Sequence, residues 1–152
     1  MKRPIEPETP DAAWVDGWWQ RAHRVLSPNQ GPRPVGAGVS LAVIHSISLP
    51  PGEYGGDAIE RLFTNRLDWD AHPYFERIRG LQVSSHFLLR RSGELQQFVS
   101  CDERAWHAGL SCWRGRAGCN DYSARARRFV GARGCTTRFC CPTTWNAISE
   151  PW

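Results

Sequence analysis

The sequence predicts an α/β fold with a mixed central β-sheet flanked by helices, and three observations carry that prediction. GVSLAVIHSISL (residues 38–49) is a continuous apolar, β-branched run bounded by Gly and Pro, which suits a buried central strand. DAIERLFTNRL (57–67) and PYFERIRGL (73–81) space their apolar residues at helical intervals. QVSSHFLLRRSGELQQFVS (82–100) gives two strand-like segments around Arg-Ser-Gly, a hairpin signal. Strand, helix, helix, strand and strand in that order make a mixed sheet with helices against it.

Taken in chain order, residues 9–34 begin polar, carry a Trp cluster and end in Pro and Gly punctuation, an opening strand or short turn followed by a loop. The apolar strand follows and runs out in PPGEYGG (50–56), a turn-rich loop. In the first helix Ile59, Leu62, Phe63 and Leu67 form the apolar face, with Asp57 placed as N-cap. The second helix is shorter and stops at Gly80. No internal repeat is visible.

A chain of 152 residues is the size of one domain. It has no run approaching 18 apolar residues, and no apolar stretch follows the basic pair at the N-terminus. Neither a membrane span nor a secretory signal is therefore expected, and the expected location is the cytoplasm. Six cysteines without any CxxC spacing are expected to stay as thiols. The net charge of +4 invites a nucleic-acid reading, but residues 124–152 hold five Arg against Glu150 alone, so the whole excess lies there and residues 1–123 are neutral. No nucleic-acid partner is expected, and the chain is expected to be a monomer.

Five histidines are the first candidates for chemistry. His45 closes the apolar strand just before a Gly and Pro loop, where a side chain can face a cleft, although a lone histidine there is as a rule a hydrogen-bonded residue. His86, within VSSHFLL, reads as a buried structural histidine bonded to nearby backbone. His107, in RAWHAGLS, has Trp106 beside it and small neighbours that let a ligand approach. His23 and His72 sit in polar turns and carry no signal. No two histidines have the i, i+4 spacing of a helical zinc pair, so a metal site would have to be assembled from distant segments.

The strings VIHSISLPPGEYGG, FTNRLDWDAHPYFERI, LQVSSHFLLRRSGELQQFVSCDERAWHAGLSCWRG and CNDYS resemble the zinc-dependent N-acetylmuramoyl-L-alanine amidases, without an evident gap from Trp14 to Ser123. The resemblance implies an amide hydrolase of peptidoglycan recycling, cutting between the lactyl group of anhydro-N-acetylmuramic acid and the L-alanine of a muropeptide. It implies zinc held by two histidines and an aspartate, with a glutamate as base and a basic residue supporting the oxyanion. His45 matches the first zinc ligand. Trp106 and His107 match the lining of the substrate groove, Tyr74 an aromatic at its edge, and Asn120 and Asp121 the polar turn before the strand that carries the glutamate. His86 matches a position inside the fold. Gly118 stands where many members have a basic residue.

The resemblance stops after CNDYS. Members continue with a strand of the type Ile-Gly-Ile-Glu-Leu-Glu-Gly, whose first Glu is the catalytic one, and later supply the second His, the basic residue and the Asp. Here Ser123 is followed by ARARRFVGARGCTTRFCCPTTWNAISEPW, with no His, no Asp and a single acid, Glu150. A frameshift accounts for this economically. Read from each third base, Phe139-Cys140-Cys141 becomes Leu-Leu, and Thr144-Trp145-Asn146 becomes an apolar residue followed by Glu, a pattern that suits the helix of family members. The expected organisation is an N-terminal extension (1–13), a partial amidase domain (14–123) and an aberrant Arg- and Cys-rich tail (124–152), with the general base missing. Losing a core strand leaves buried backbone groups unpaired at about 1–3 kcal/mol each, against a native margin of about 5–15 kcal/mol. Poor folding is expected unless the tail substitutes for that strand.

Three functions follow as expectations. A working zinc amidase would need at least two replacement zinc ligands near His45, such as the tail cysteines, and without them the amidase is expected to be impaired. A binding module would hold muropeptide through Trp106 and His107 without turnover. A binder of anionic polymers would use the Arg tail and show a steep salt dependence.

Overall fold

The computed structural model describes residues 13–128, with the backbone path alone over 125–128. Its centre is a five-stranded mixed sheet in the order β3-β7-β6-β11-β5, made of β3 (His23–Arg24), β7 (Leu95–Gln97), β6 (Phe87–Leu89), β11 (Ser123–Arg128) and β5 (Leu41–His45). β5, β11 and β6 run parallel, β6 and β7 are antiparallel, and β3 is parallel to β7. Helices α1 (Ala58–Phe63) and α2 (Pro73–Arg77) supply buried side chains to the core, so the expected α/β class with a mixed sheet holds.

β5 forms where the apolar run predicts it, but at the edge of the described sheet and not as the buried central strand expected: Val43 alone is buried and Ile44 is 64% exposed. The hairpin of β6 and β7 turns at the expected Arg-Ser-Gly: Gly93 takes φ +90° and donates its N–H to the Arg90 carbonyl. Both helices are shorter than their apolar spacing suggests. α1 ends at Phe63 with Thr64 as its C-cap, just before Asn65, which takes φ +58°. Asp57 sits at its N-cap but its side chain does not cap. The carboxylate pairs instead with Arg61 one turn on, at 2.8 Å. His72, read as a turn residue without signal, is the cap of α2: its Nδ1 accepts the Tyr74 N–H at 3.0 Å, and Pro73 occupies the first helical turn.

The core joins these elements through Ile47, Leu49, Leu62, Phe63, Phe75, Leu88, Phe98 and Val99, with the Phe63 and Phe98 rings 5.2 Å apart and perpendicular. The N-terminal segment is a hairpin, β1 (Trp14–Val15) and β2 (Trp18–Trp19), closed by Asp16-Gly17 with φ of +50° and +73°. Asp-Gly is a strong two-residue hairpin signal. Gly17 is also required sterically: a Cβ there would lie 2.1 Å from Ser100 Oγ. Gln97, fully buried, donates to the Gly17 carbonyl at 2.8 Å and accepts the Trp19 N–H at 2.7 Å, fixing the hairpin on the sheet.

Four further strands and one helix complete the description. β4 (Gln30–Pro32) pairs antiparallel with β8 (Glu103–Ala105), and β9 (Cys112–Trp113) pairs with β10 (Arg116–Ala117). α3 (Cys119–Tyr122) leads straight into β11. β11 differs most from expectation. Ser123–Arg128 occupies the slot between β5 and β6, pairing Ser123 with Leu41 through Arg127 with His45 on one side and Ala126–Arg128 with Phe87–Leu89 on the other. The anticipated gap is thus filled by the first residues after the resemblance ends, and the ladder groups of both neighbours are paired. The expected extension (1–13) and tail (124–152) lie outside the described residues except at Ala13 and within β11.

Candidate functional site

Two groups of candidate residues stand at opposite ends of β11. At its start, Asn120 Oδ1 accepts the N–H of His107 at 3.1 Å and of Ala108 at 2.9 Å, clasping the segment that follows β8. His107 has 1% of its surface exposed, and its Nε2 lies 2.8 Å from Ser123 Oγ. That hydroxyl donates its one proton to the Cys119 carbonyl at 2.5 Å, so His107 must be the donor in the contact between them. His107, expected to line a groove, therefore supports the segment from behind in this structure. Asp121 accepts from Arg104 at 2.7 Å and is half-buried. Gly118 lies in the left-handed region at φ +72°, where a Cβ would come within 2.9 Å of Asp121 Oδ2.

Trp106 is half-buried and held by its backbone. Ser84 Oγ accepts the Trp106 N–H at 2.9 Å and donates to the Asn29 carbonyl at 2.6 Å. Asn29 in turn donates to the Val83 carbonyl at 2.9 Å and to Asn65 Oδ1 at 2.8 Å. Tyr74, also half-buried, belongs to α2, where it packs on the core with the Arg77 guanidinium 5.6 Å from its ring.

Arg33 ties this end of the site together, a role hidden in the sequence because a lone Arg between two prolines reads as solvated. Its guanidinium donates to the carbonyls of Cys101 (3.1 and 3.2 Å), Asp121 (2.8 Å) and Ser123 (3.1 Å), closing the end of α3 and the start of β11 against the segment before β8. Partial burial pulls its pKa below the ordinary value. Its Nη2 lies 3.2 Å from His86 Nε2, which is 3.0 Å from the Glu103 carbonyl. His86 is fully buried, as expected of a structural histidine. Desolvation, aided by the Arg33 charge and opposed by the Glu103 carbonyl, lowers its pKa to about 4, so it is neutral at pH 7.

His45 stands at the other end of β11, in register with Arg127. Four residues of strand separate that pair from Ser123 and Leu41, about 13 Å at the usual rise, so His45 is not in one cluster with His107, Asn120 and Asp121. Among the described residues no group of three or more His, Cys, Asp or Glu stands together to hold a metal ion. One imidazole does not make a zinc site, which takes three or four donors. The described donor set therefore does not fit zinc. Counting from Ser123, the first Glu of the strand expected from the resemblance falls at position 127, where this chain has Arg. Arginine has no acceptor and stays protonated, so it cannot serve as a base.

The family described as N-acetylmuramoyl-L-alanine amidase matches residues 35–126. The 1,6-anhydro-N-acetylmuramyl-L-alanine amidase AmpD of Citrobacter freundii is 54% identical over 108 residues, 71% of this chain and 58% of that protein. AmpD of Escherichia coli K12 is 52% identical over 107 residues, 70% of this chain and 58% of that protein. A crystal structure of an AmpD selenomethionine derivative superimposes with a TM-score of 0.74 at 50% identity, covering 76% of this chain and 65% of that one. The chain thus spans a little over half the length of these curated relatives.

Proposed function

The chain belongs to the N-acetylmuramoyl-L-alanine amidase family, and from that membership we propose that it recognises anhydro-muropeptides while hydrolysing their muramyl-L-alanine amide poorly or not at all. The observation that carries this reading is the register of β11, which sets Arg127 beside His45 where a carboxylate base is called for. A water attacking an amide needs a proton acceptor within reach. Across residues 36–52, 80–93 and 122–128, which contain β5, β6 and β11, there is no Asp or Glu. In relatives of this class zinc acidifies the attacking water. Here His45 is the one position on the described strands that the resemblance matches to a zinc ligand.

On this reading Trp106 and Tyr74 meet the substrate, since both keep exposed surface. His107, Asn120 and Asp121 shape the segment that presents Trp106. The proposed layout is an amidase-derived domain over 14–123 completed by the foreign strand β11, working as a monomer in the cytoplasm. Among the described residues no helix is long and apolar enough to cross a membrane.

The test is a titration of the full chain with anhydro-N-acetylmuramyl-L-alanyl peptide, read by calorimetry, with peptide release followed chromatographically in the same cell. Saturable binding that Trp106→Ala weakens about tenfold, the scale of a lost aromatic contact, with no peptide released, is the expected result. Absence of binding would overturn the recognition claim, and multiple turnovers would overturn the impairment claim.

A further inference from the structure

β4 and β8 form an antiparallel ribbon in which Gly31 is the register partner of Arg104. Residues two apart on a strand share a face, so Arg104 and Trp106 flank Gly31 while Ala105, between them, belongs to the core. Gly31 has no local reason to be glycine. It lies in a strand outside the left-handed region, and an added Cβ would meet Arg104 Nη2 at 3.7 Å and Trp106 Nε1 at 3.8 Å, ordinary contact distances. Gly17 and Gly118 differ, since each takes a left-handed φ and leaves no room for a Cβ. A glycine inside a strand gives up packing and often marks a place where another group approaches the backbone. What Gly31 leaves open is a methyl-sized space floored by backbone and bordered by two N–H donors.

Neither donor has an acceptor among the described residues. Arg104 gives Nη1 to Asp121 Oδ1 at 2.7 Å, and its Nε is buried without a partner. The Trp106 main chain is pinned from both sides, its N–H donating to Ser84 Oγ at 2.9 Å and its carbonyl accepting the Ser84 N–H at 2.8 Å, so the indole springs from a fixed backbone. Charge then selects the ligand. Asp121 offsets one guanidinium, but Arg33, which donates to the Asp121 carbonyl at 2.8 Å and bonds no carboxylate, brings a second positive charge alongside. Asp102 and Glu103 act on Arg33 through space alone. A carboxylate is planar, accepts through two separate oxygens, and binds charged donors more strongly than a neutral carbonyl does.

From this arrangement we infer that the β4–β8 ribbon carries a carboxylate site, with one ligand oxygen on Arg104 Nη2, the other on Trp106 Nε1, and the ligand body over Gly31. The site itself does not require muropeptide recognition. Its assignment to a stem-peptide carboxylate rests on the proposed function, through the shared Trp106, and without that recognition the occupant is a free small carboxylate.

The experiment follows the Trp106 indole N–H of the full chain by heteronuclear NMR, the signal being identified by its loss in Trp106→Phe. Sodium acetate is titrated in, with sodium chloride at matched ionic strength as the reference. Acetate is expected to move that signal saturably, and chloride to leave it in place. Gly31→Ala fills the space without a clash or a change of backbone region, so it should melt no lower than the unaltered chain while binding acetate at least tenfold more weakly. Gly38→Ala, at a glycine with open space around it and no left-handed φ, should bind normally. Arg104→Gln should weaken binding about tenfold, the scale of one charge-assisted contact. If that variant fails to fold for want of the Asp121 pair, Gly31→Ala still decides.

Acetate acting no differently from chloride, or a folded Gly31→Ala chain binding acetate as before, would each overturn the inference. Adding anhydro-muropeptide separates the two sources. Displacement of acetate assigns the site to the stem-peptide carboxylate, and simultaneous binding assigns it to a free carboxylate. A chain that binds acetate but no muropeptide contradicts the proposed function alone, and the reverse result contradicts this inference alone.

Discussion

Replacing Arg33 with Met keeps most of the side chain's volume and removes every donor, which makes it the sharpest test of how the foreign strand is held. Arg33 makes its shorter bonds to three carbonyls, those of Cys101, Asp121 and Ser123, at 2.8 to 3.2 Å, with the Asn120 carbonyl farther off at 3.4 Å. A hydrogen bond from a charged donor contributes about 1.5–3 kcal/mol, but the site is only part-buried and water can reach the orphaned carbonyls, so about 1 kcal/mol each is the fitting figure. The sum is about 3 kcal/mol. For a domain of this size that corresponds to a melting-temperature fall of about 10 °C. Thermal unfolding followed by far-UV circular dichroism measures it, with Arg79→Met as the control. Arg79 also pairs with two carboxylates, Asp70 and Glu76, but it is exposed, so its loss should leave the melting temperature almost unchanged. Equal losses in the two variants would refute the claim that Arg33 anchors the start of β11.

Three other outcomes follow from the same contacts. Asn120→Ala strips the shared acceptor from the His107 and Ala108 amides and should cost about 2 kcal/mol, seen as a lower urea midpoint with unchanged slope. His86, held near pKa 4 in the fold against about 6.5 unfolded, binds its proton more readily when unfolded, so stability is complete above pH 6.5 and declines as the pH falls toward 4, by about 3 kcal/mol in all. Urea titrations at several pH values should show that decline, and His86→Asn should flatten it. Burial pushes the Cys101 thiol up to about 11, whereas Cys112 is exposed. Iodoacetamide at pH 8 should therefore label Cys112 well before Cys101, as read by peptide mass spectrometry.

The elements that local chemistry decides were legible in the sequence. The β-branched run of β5 marks a strand, though not that the strand sits at the sheet's edge with Val43 alone buried, and Arg-Ser-Gly turns the β6–β7 hairpin. Features decided by distant partners were not. Ala-Arg-Ala-Arg-Arg has little β-propensity, and only the open slot between β5 and β6 makes a strand of it, a tertiary effect that outweighs local preference. Arg33 finds its acceptors nearly ninety positions away at Asp121 and Ser123. His107 looked like a ligand-facing residue because its neighbours are small and aromatic, but its partner Ser123 lies sixteen residues on and draws the ring inward. Asp57 shows the converse: its cap role was plausible from position alone, and Arg61 captured the carboxylate instead.

The central claim is that a strand bearing Arg127 has taken the place of one bearing a catalytic carboxylate, so that the chain hydrolyses muropeptide poorly or not at all. It is tested most directly by measuring zinc and turnover together, in this chain and in a version whose codons after Ser123 are read in the shifted frame. Zinc content by mass spectrometry and hydrolysis of anhydro-muropeptide should both be negligible in the present chain and both rise in the reframed one. One zinc per present chain, with peptide released over many turnovers, would contradict the account.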